Sequence, residues 1–426
     1  MPGILHLSNE LLLEICSHLR PYPLLNITGR PFHCWTRALK EHDRASFDKI
    51  HTVSSLVRSC RYLYAALISQ LYEYVPLLTS YRGWEKFMRT VAEHEELGDY
   101  VRYVSIYLPG DKTIADVYQL FWLPSLDTLD LRGYAAWHAT EFEGGESPVG
   151  TSTIQTMRLL HCGAHEEALK ELLKFPRALG ELWYEVNQAA WDGRYEGEPA
   201  VEFTCEAARR CVAAHAGSLE KLVFTRPPLD HEGLGYGDAV DLEDLERLRS
   251  LSIHQVFLVG LISNTHVSRC LPQSLEELEV FYDDSGYVDF LDEDGDISHP
   301  HWLLTLLEEL KRPDSKLKNL NRVRVVALEW HNGEEDAEDE HDSSNASSPS
   351  GRDSQGPGDV QLRGHPNSPW RPPELLLDLL VEAGVCFSIF LHPERRARLT
   401  PEHVKGFDDA WEDDWDPETE DPPSFV

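Results

Sequence analysis

Large apolar residues recur in one spacing through the middle of the chain. The triple Leu-x-x-Leu-x-Leu, with other large apolar residues allowed, begins at Val101, Leu126, Ile154, Leu179, Leu219, Leu248, Leu275 and Leu320. Alternation of apolar and polar residues in the second half of a triple is typical of a strand with one buried face. The pattern therefore predicts eight strands, and the apolar stretch 385–391 (VCFSIFL) predicts a last one.

Amphipathic segments lie between these strands. Helices are predicted over 165–174 (HEEALKELLK), 205–215, 301–311 (HWLLTLLEELK) and 372–384, the last with prolines at its start and a glycine at its end. Five of the seven gaps between triples measure 25–29 residues, the period of leucine-rich repeats. The string Ser-Leu-acid also recurs in register at residues 125, 218 and 274. An α/β fold is therefore expected, an irregular leucine-rich-repeat solenoid with one strand per repeat.

Strand parity then sorts the side chains onto two faces. In each triple the fourth and sixth residues are predicted to face the core, and the fifth and seventh a solvent-exposed concave surface. That second set comprises Ser105, Tyr107, Asp130, Arg132, Arg158, Leu160, Trp183, Glu185, Val223, Thr225, Ser252, His254, Glu279, Phe281, Arg324 and Val326. Aromatic and arginine side chains suit protein binding, so the predicted substrate contacts are Tyr107, Arg132, Arg158, Trp183, Glu185, His254 and Phe281. The alternative is a register error of one residue, which would place some of them in the core.

The first predicted helix, 4–19 (ILHLSNELLLEICSHL), is apolar on more than one side. Ser8 can cap it, and Glu10 lies in the first turn, where negative charge is favourable. One stripe of the helix is formed by Leu7, Leu11, Ile15 and Leu19. Apolar surface outside that stripe comes from Leu5, Leu12 and Leu13. A helix of this kind must bury more than one side, so one face is expected to pack within the protein and the other against a partner.

Composition narrows the classes of partner. The 426 residues are 42% hydrophobic and carry a net charge of −34, of which −8 lies in 334–359 and −9 in 407–426. An acidic protein repels nucleic acid and anionic membranes, so neither is expected as a partner. Segments 333–370 and 401–426 are predicted to be disordered because they are acidic and poor in apolar residues. No apolar run is long enough to span a bilayer and no secretory signal is present, so cytoplasmic or nuclear localisation is expected.

Motifs for catalysis or metal binding are weak. The sequence contains no GxSxG, P-loop, GxGxxG or HExxH motif. Asp292, Asp294 and Gly295 have the spacing of a calcium loop, but Phe290 and His301 occupy positions that need ligands. The eight cysteines are scattered without a CxxC pair, which favours buried, reduced thiols. We therefore predict no enzymatic activity, no cofactor and no metal; an unfamiliar active site is the alternative.

The stretches 7–19 (LSNELLLEICSHL), 55–64 (SLVRSCRYLY) and 71–75 (LYEYV) together resemble an F-box of the fungal type. The resemblance implies that residues 1–79 dock on a Skp-type linker of a cullin–RING ubiquitin ligase. It implies that the linker contacts Leu7, Glu10, Leu11, Ile15 and Leu19. The repeats in 80–332, followed by a terminal helix–strand unit in 371–400, would bind an unknown protein substrate. A repeat scaffold without a ligase is the alternative function.

The resemblance departs from the family at two places. Ser8 stands where an F-box usually has proline, and residues 20–52 form an insert between the two halves of the motif. The insert is either a surface loop or an artefact of the predicted coding sequence, and as part of the protein it could also disrupt docking.

Overall fold

The computed structural model describes residues 8–19, 32–77, 81–108, 118–136, 149–186, 204–225, 238–260, 266–282, 301–327, 379–380 and 382–391. The calcium-like stretch around Asp292, the predicted disordered segments 333–370 and 401–426, and most of the predicted helix 372–384 lie outside these residues. No helix in the described ranges is long and apolar enough to cross a membrane.

Parallel strands form one open sheet in which each main strand pairs with its neighbours along the chain. The order is β1-β2-β3-β5-β6-β7-β8-β9-β10-β11, and the short β4 pairs with β5. All of these pairs are parallel, so the protein is α/β. The strands are β1 (Tyr74–Leu77), β2 (Tyr103–Tyr107), β3 (Thr128–Arg132), β4 (Ala135–Ala136), β5 (Thr156–Ala164), β6 (Glu181–Val186), β7 (Lys221–Thr225), β8 (Ser250–His254), β9 (Glu277–Tyr282), β10 (Arg322–Ala327) and β11 (Cys386–Leu391).

Every apolar triple of the sequence overlaps a strand, so the eight predicted strands β2, β3 and β5–β10 are confirmed. The last predicted strand is β11. Strands β1 and β4 were not predicted. The first begins within 71–75, a stretch assigned to the F-box resemblance, and the second is only two residues long.

Helices precede the sheet and lie between its strands. They are α1 (Asn9–Ser17), α2 (Phe32–Ser59), α3 (Arg61–Glu73), α4 (Tyr81–Glu93), α5 (Glu95–Gly98), α6 (Glu166–Leu173), α7 (Cys205–Val212), α8 (Gln255–Val259) and α9 (His301–Leu310). The predicted helices over 165–174, 205–215 and 301–311 are confirmed as α6, α7 with a following 3-10 turn, and α9. Helices α4, α5 and α8 were not predicted.

The core lies between the helices and one face of the sheet. Alternate strand residues such as Leu129, Leu131 and Val280 are fully buried there, against the apolar stripes of α6, α7 and α9. The predicted parity of the strands is therefore correct on this face. The other side of the sheet, which carries the fifth and seventh residues of the triples, is called the polar face below.

One hydrogen-bond pattern recurs at the starts of successive strands. Two consecutive N–H groups donate to a single carbonyl of the preceding strand region: those of residues 127 and 128 to Arg102, 155 and 156 to Asp127, and 180 and 181 to Gln155. The recurring serine has a matching role. Ser218 Oγ donates to the carbonyl of Leu179 at 2.9 Å, and Ser274 Oγ to that of Leu248 at 2.8 Å. In both cases the serine that precedes a triple donates its hydroxyl to the backbone carbonyl of the first residue of the preceding triple.

The N-terminal helices α1, α2 and α3 form a small core of their own, called the helical head below. Leu12, Val53, Val57, Leu63 and Leu67 are its buried residues. Helix α2 begins inside the segment 20–52, so the interpretation of that insert as a surface loop is wrong for residues 32–52.

The helical head is continuous with the sheet. Helix α3 leads directly into β1, and Ile68 and Leu71 pack against both the head core and the core of the sheet. The boundary predicted at residue 79 therefore falls after the first strand of the sheet.

His215 sits between α7 and β6 as a neutral group. Its Nε2 lies 2.6 Å from the carbonyl of Leu173, and its Nδ1 accepts the N–H of Leu179 at 3.4 Å. Burial lowers its pKa, only partly opposed by the Leu173 hydrogen bond. A group with a lowered folded pKa contributes full stability above its unfolded pKa of about 6.5 and loses it as the pH falls further.

His215→Gln is therefore expected to flatten the fall in unfolding free energy between pH 7.5 and pH 5.5. Urea unfolding at both pH values measures that difference, with His51→Gln on the exposed side of α2 as the matched control. An equal pH dependence in His215→Gln and the native protein would show that His215 is not responsible.

Candidate interaction surfaces

Helix α1 presents an apolar stripe to solvent. Ser8 caps the helix: its Oγ accepts the N–H of Leu11 at 3.4 Å, and its carbonyl accepts that of Leu12 at 3.0 Å. The cap fixes the rotation of the three leucines that follow. Leu12 is 1% exposed in the head core, whereas Leu11 and Ile15 are 54% and 43% exposed. Helix α1 thus has one face packed within the protein, as predicted, and another face that is exposed.

The five residues predicted to contact a linker divide as follows. Leu11 and Ile15 are neighbours on the exposed stripe, and Glu10 is exposed in the first turn. The pKa of Glu10 is lowered because its carboxylate accepts hydrogen bonds from its own backbone and from Ser8, so it is charged at neutral pH. Leu19 is half-buried against the head core. Leu7 lies outside the described residues.

The polar face of the sheet is the second candidate surface, and its predicted exposure is wrong. Among the predicted substrate contacts only Tyr107 is exposed, at 39%. The others are 1–5% exposed: Arg132, Arg158, Trp183, Glu185, His254 and Phe281. Strands about 4.8 Å apart bring their polar side chains within hydrogen-bond reach of one another. Arg132, Arg158 and Trp183 belong to clusters of polar side chains that pair across the strands, and three such clusters lie on this face.

The first group, the Asp130 cluster, joins β2 and β3. Asp130 Oδ2 accepts from Tyr103 Oη and Ser105 Oγ at 3.1 Å each, and from Arg132 Nη2 at 3.0 Å. Burial alone would raise the pKa of Asp130. The charge and hydrogen bonds of Arg132, with the charge of Arg158, instead take it below its ordinary value. The carboxylate is therefore ionised and balances buried cations.

The second group, the Trp183 cluster, joins β5, β6 and β7. The Trp183 indole N–H donates to Glu181 Oε1. Arg158 and Lys221 lie over the indole ring, with the Arg158 guanidinium carbon 5.0 Å and Lys221 Nζ 4.8 Å from its centroid. Lys221 also forms an ion pair with Glu181 at 3.2 Å. The electron-rich face of tryptophan attracts both cations.

The third group, the Glu279 cluster, joins β8, β9 and β10. Glu279 accepts from Ser252 Oγ at 3.1 Å and from Arg324 Nη1 at 2.8 Å. The Glu279 side chain is 6% and the Arg324 side chain 19% exposed, so this ion pair is shielded from solvent. The cluster fixes the register of three neighbouring strands.

Neither a known protein family nor a curated protein matches the sequence.

Two further predicted contacts have structural roles. His254 Nδ1 accepts the N–H of Val256 at 3.3 Å and so caps α8, while its ring meets Phe257 edge-on. Phe281 is 3% exposed next to it, in register across the β8–β9 pair. Both side chains therefore help to build the sheet.

Some members of the clusters occupy the third position of a triple and were not predicted. Tyr103, Glu181 and Lys221 lie two residues before Ser105, Trp183 and Val223, which belong to the predicted exposed set, and so share their face. The same parity argument, carried two residues back along each strand, would have included them.

Metal-ligating groups and thiols do not form a site in the described part of the chain. No group of three or more His, Cys, Asp or Glu residues there could hold a metal ion. Among the described cysteines, Cys162, Cys205 and Cys211 are buried, Cys60 and Cys270 half-buried, and Cys386 exposed. Burial raises the pKa of the Cys205 and Cys211 thiols to about 12, so both are protonated and unreactive.

Proposed function

We propose that this protein is a non-catalytic adaptor of a cullin–RING ubiquitin ligase. The helical head would dock on a Skp-type linker as an F-box does, and the sheet would bind a protein substrate. The observation that carries the proposal is the pair Leu11 and Ile15, which a solvent-exposed helix presents beside the buried Leu12.

The exposed stripe favours docking because no described part of the fold covers these apolar side chains, so their contact with water remains unfavourable. Leu11 and Ile15 are each about half exposed, on a short helix whose buried side is already supplied by Leu12. An apolar residue gains about 25 cal/mol for each Å² of surface that a partner covers. A partner helix or groove that covers the stripe would thus be stabilised, with Glu10 at its rim to set orientation.

The sheet supports the substrate-binding half of the proposal. Its sequential strand order, its spacing of triples and its recurrent hydrogen bonds are those of a stack of similar units. Leucine-rich repeats are built in this way. Tyr107 is the exposed aromatic residue of the described polar face and the first substrate contact to test.

The double variant Leu11→Asp/Ile15→Asp is expected to lose co-purification with the host's Skp-type linker while the protein stays folded. Leu13→Asp is the matched control, because Leu13 is 42% exposed but lies about 200° around the helix from Leu11. The measurement is the ratio of linker to protein after affinity purification and gel filtration, with circular dichroism as the check on folding.

Three outcomes separate the explanations. Loss in the double variant with retention in Leu13→Asp supports docking through the stripe. Equal loss in both indicates nonspecific adhesion of an apolar helix and contradicts the assignment. If the native protein forms no complex, deletion of 20–31 tests the insert without cutting α2, which begins at Phe32. A complex that is still absent then rejects the adaptor.

A repeat scaffold without a ligase is the second candidate function. It is favoured by Ile68 and Leu71, which pack against both cores, so that the head covers the first edge of the sheet. Deleting residues 1–80 does not test this, because it also removes β1. Removing residues 1–31 is the sharper test. A scaffold binds no linker before the deletion and keeps its substrates after it. An adaptor binds the linker before the deletion and loses it afterwards.

A further inference from the structure

Arg158 on β5 is buried with part of its hydrogen-bonding capacity unused. The residue is 5% exposed, and its Nε and Nη1 atoms have no hydrogen-bond partner among the described residues. Its described contact is with the Trp183 ring, whose centroid lies 5.0 Å from the guanidinium carbon and which offers no acceptor in place of a carboxylate or carbonyl oxygen. A buried donor without an acceptor costs free energy, so such a group in a native protein requires an explanation.

The neighbouring carboxylate does not supply the missing acceptor. Asp130 lies opposite Arg158 in the β3–β5 register, and its oxygens already accept from Tyr103, Ser105 and Arg132. Arg158 therefore shares in the charge balance of Asp130 without donating a hydrogen bond to it. The unused donors are those of a planar fork, which fits the paired oxygens of a carboxylate or phosphate.

A second unused polar group lies two strands away. Thr225 on β7 is 1% exposed, and its Oγ1 atom has no hydrogen-bond partner among the described residues. Two strand spacings and an offset of two residues along the strands separate it from Arg158 by roughly 12 Å. A single small anion cannot reach both groups, whereas an extended peptide that crosses the strands can.

We propose that Arg158 anchors an oxyanion subsite on the polar face, which takes the carboxylate or phosphate of a peptide side chain. The guanidinium fork donates to two oxygens of the anion, Trp183 holds the guanidinium in place, and Thr225 contacts the peptide farther along. The site does not depend on a ligase, because its residues are remote in sequence from the head. A failure of the oxyanion subsite and a failure of linker docking are therefore detected by separate experiments.

The test follows the indole N–H resonance of Trp183, assigned by its absence in Trp183→Phe, during titration of the full-length protein. The probes are inorganic phosphate and the peptide Gly-Gly-Gly-Ser-Gly-Gly-Gly in phosphorylated, glutamate-substituted and unmodified forms, long enough to reach from Arg158 to Thr225. We expect the phosphorylated and glutamate peptides to shift the resonance. In Arg158→Met the affinity should fall on the order of tenfold or more, the loss of charge-assisted hydrogen bonds. Arg322→Met is the matched control, on the same face but exposed and already paired with Glu277.

Stability supplies an independent readout. If Arg158 is kept for a ligand, Arg158→Met removes an unsatisfied buried cation, and the ligand-free variant should melt at or above the native temperature. A marked fall in melting temperature would assign Arg158 a purely structural role and overturn the proposal. Arg158→Lys, which keeps the charge but not the fork, should fold and still bind more weakly.

The remaining outcomes are also decisive. An equal response of Arg158→Met and the native protein would place the anion elsewhere. Binding of inorganic phosphate as tight as that of the phosphorylated peptide would reject a peptide ligand. No response to any probe would indicate that water satisfies Arg158 and that no subsite exists.

Discussion

Asp130→Asn is expected to lower the free energy of unfolding by about 3–5 kcal/mol, the usual cost of removing one partner from a buried ion pair. The substitution keeps the size of the side chain and removes its charge. Arg132, 3% exposed, and Arg158, 5% exposed, would then have no balancing carboxylate in the Asp130 cluster. Tyr103 and Ser105 would still have an oxygen to donate to, so the loss would report chiefly on charge.

Urea unfolding followed by circular dichroism measures this effect, and Asp127→Asn is the matched control. Asp127 lies just before the same strand but is exposed, so its substitution should change stability by no more than about 0.5 kcal/mol. A similar small change in Asp130→Asn would contradict the charge balance inferred for the cluster. Asp130→Leu combined with Arg132→Met should recover part of the loss, because no charge of that pair is then stranded.

Three consecutive leucines of α1 should respond very differently to truncation. Leu12→Ala is expected to cost about 2–5 kcal/mol of the free energy that docks α1 on the head, because Leu12 is 1% exposed among Leu63 and Leu67. Leu11→Ala and Leu13→Ala should each cost less than about 0.5 kcal/mol, since both side chains are largely in solvent.

Hydrogen exchange of the α1 amides is the suitable measurement, because a short helix held by one buried side chain can detach without global unfolding. Exchange in α1 should accelerate by more than tenfold in Leu12→Ala alone, while the amides of β3 and β6 keep their protection. Equal acceleration of α1 amide exchange in all three variants would mean that the buried face with Leu12 does not anchor α1. The exposed stripe would then lose its structural basis.

Strand positions were predictable from sequence because each strand carries two apolar residues that must face the helices. Leu129 and Leu131 on β3, or Val323 and Val325 on β10, alternate with polar residues and permit one register only. Helix α6 was predictable for a similar reason, since its buried residues share one stripe. The part of helix α2 before residue 51 was not, because it is rich in charge and has no apolar period that marks it as part of the head.

The burial of the polar face could not be predicted from parity. Parity assigns Trp183 and Arg158 to the correct side of the sheet but does not show whether that side is exposed to solvent. Burial is decided by cross-strand pairing between residues far apart in the chain, such as Tyr103 with Asp130 or Ser252 with Glu279. A sequence in which acids, arginines and hydroxyls recur at one strand position is consistent with both a solvated surface and a paired one.

The strand order has a consequence for how this protein can change during evolution. Two connections, between Leu179 and Leu219 and between Leu275 and Leu320, span 40 and 45 residues where most span 25–29. The β6–β7 and β9–β10 pairs nevertheless keep an unbroken register. Because each main strand pairs only with its neighbours along the chain, an insertion between two strands shifts no other pair. Descendants of this protein can therefore acquire new loops between strands while the sheet that carries them is inherited unchanged.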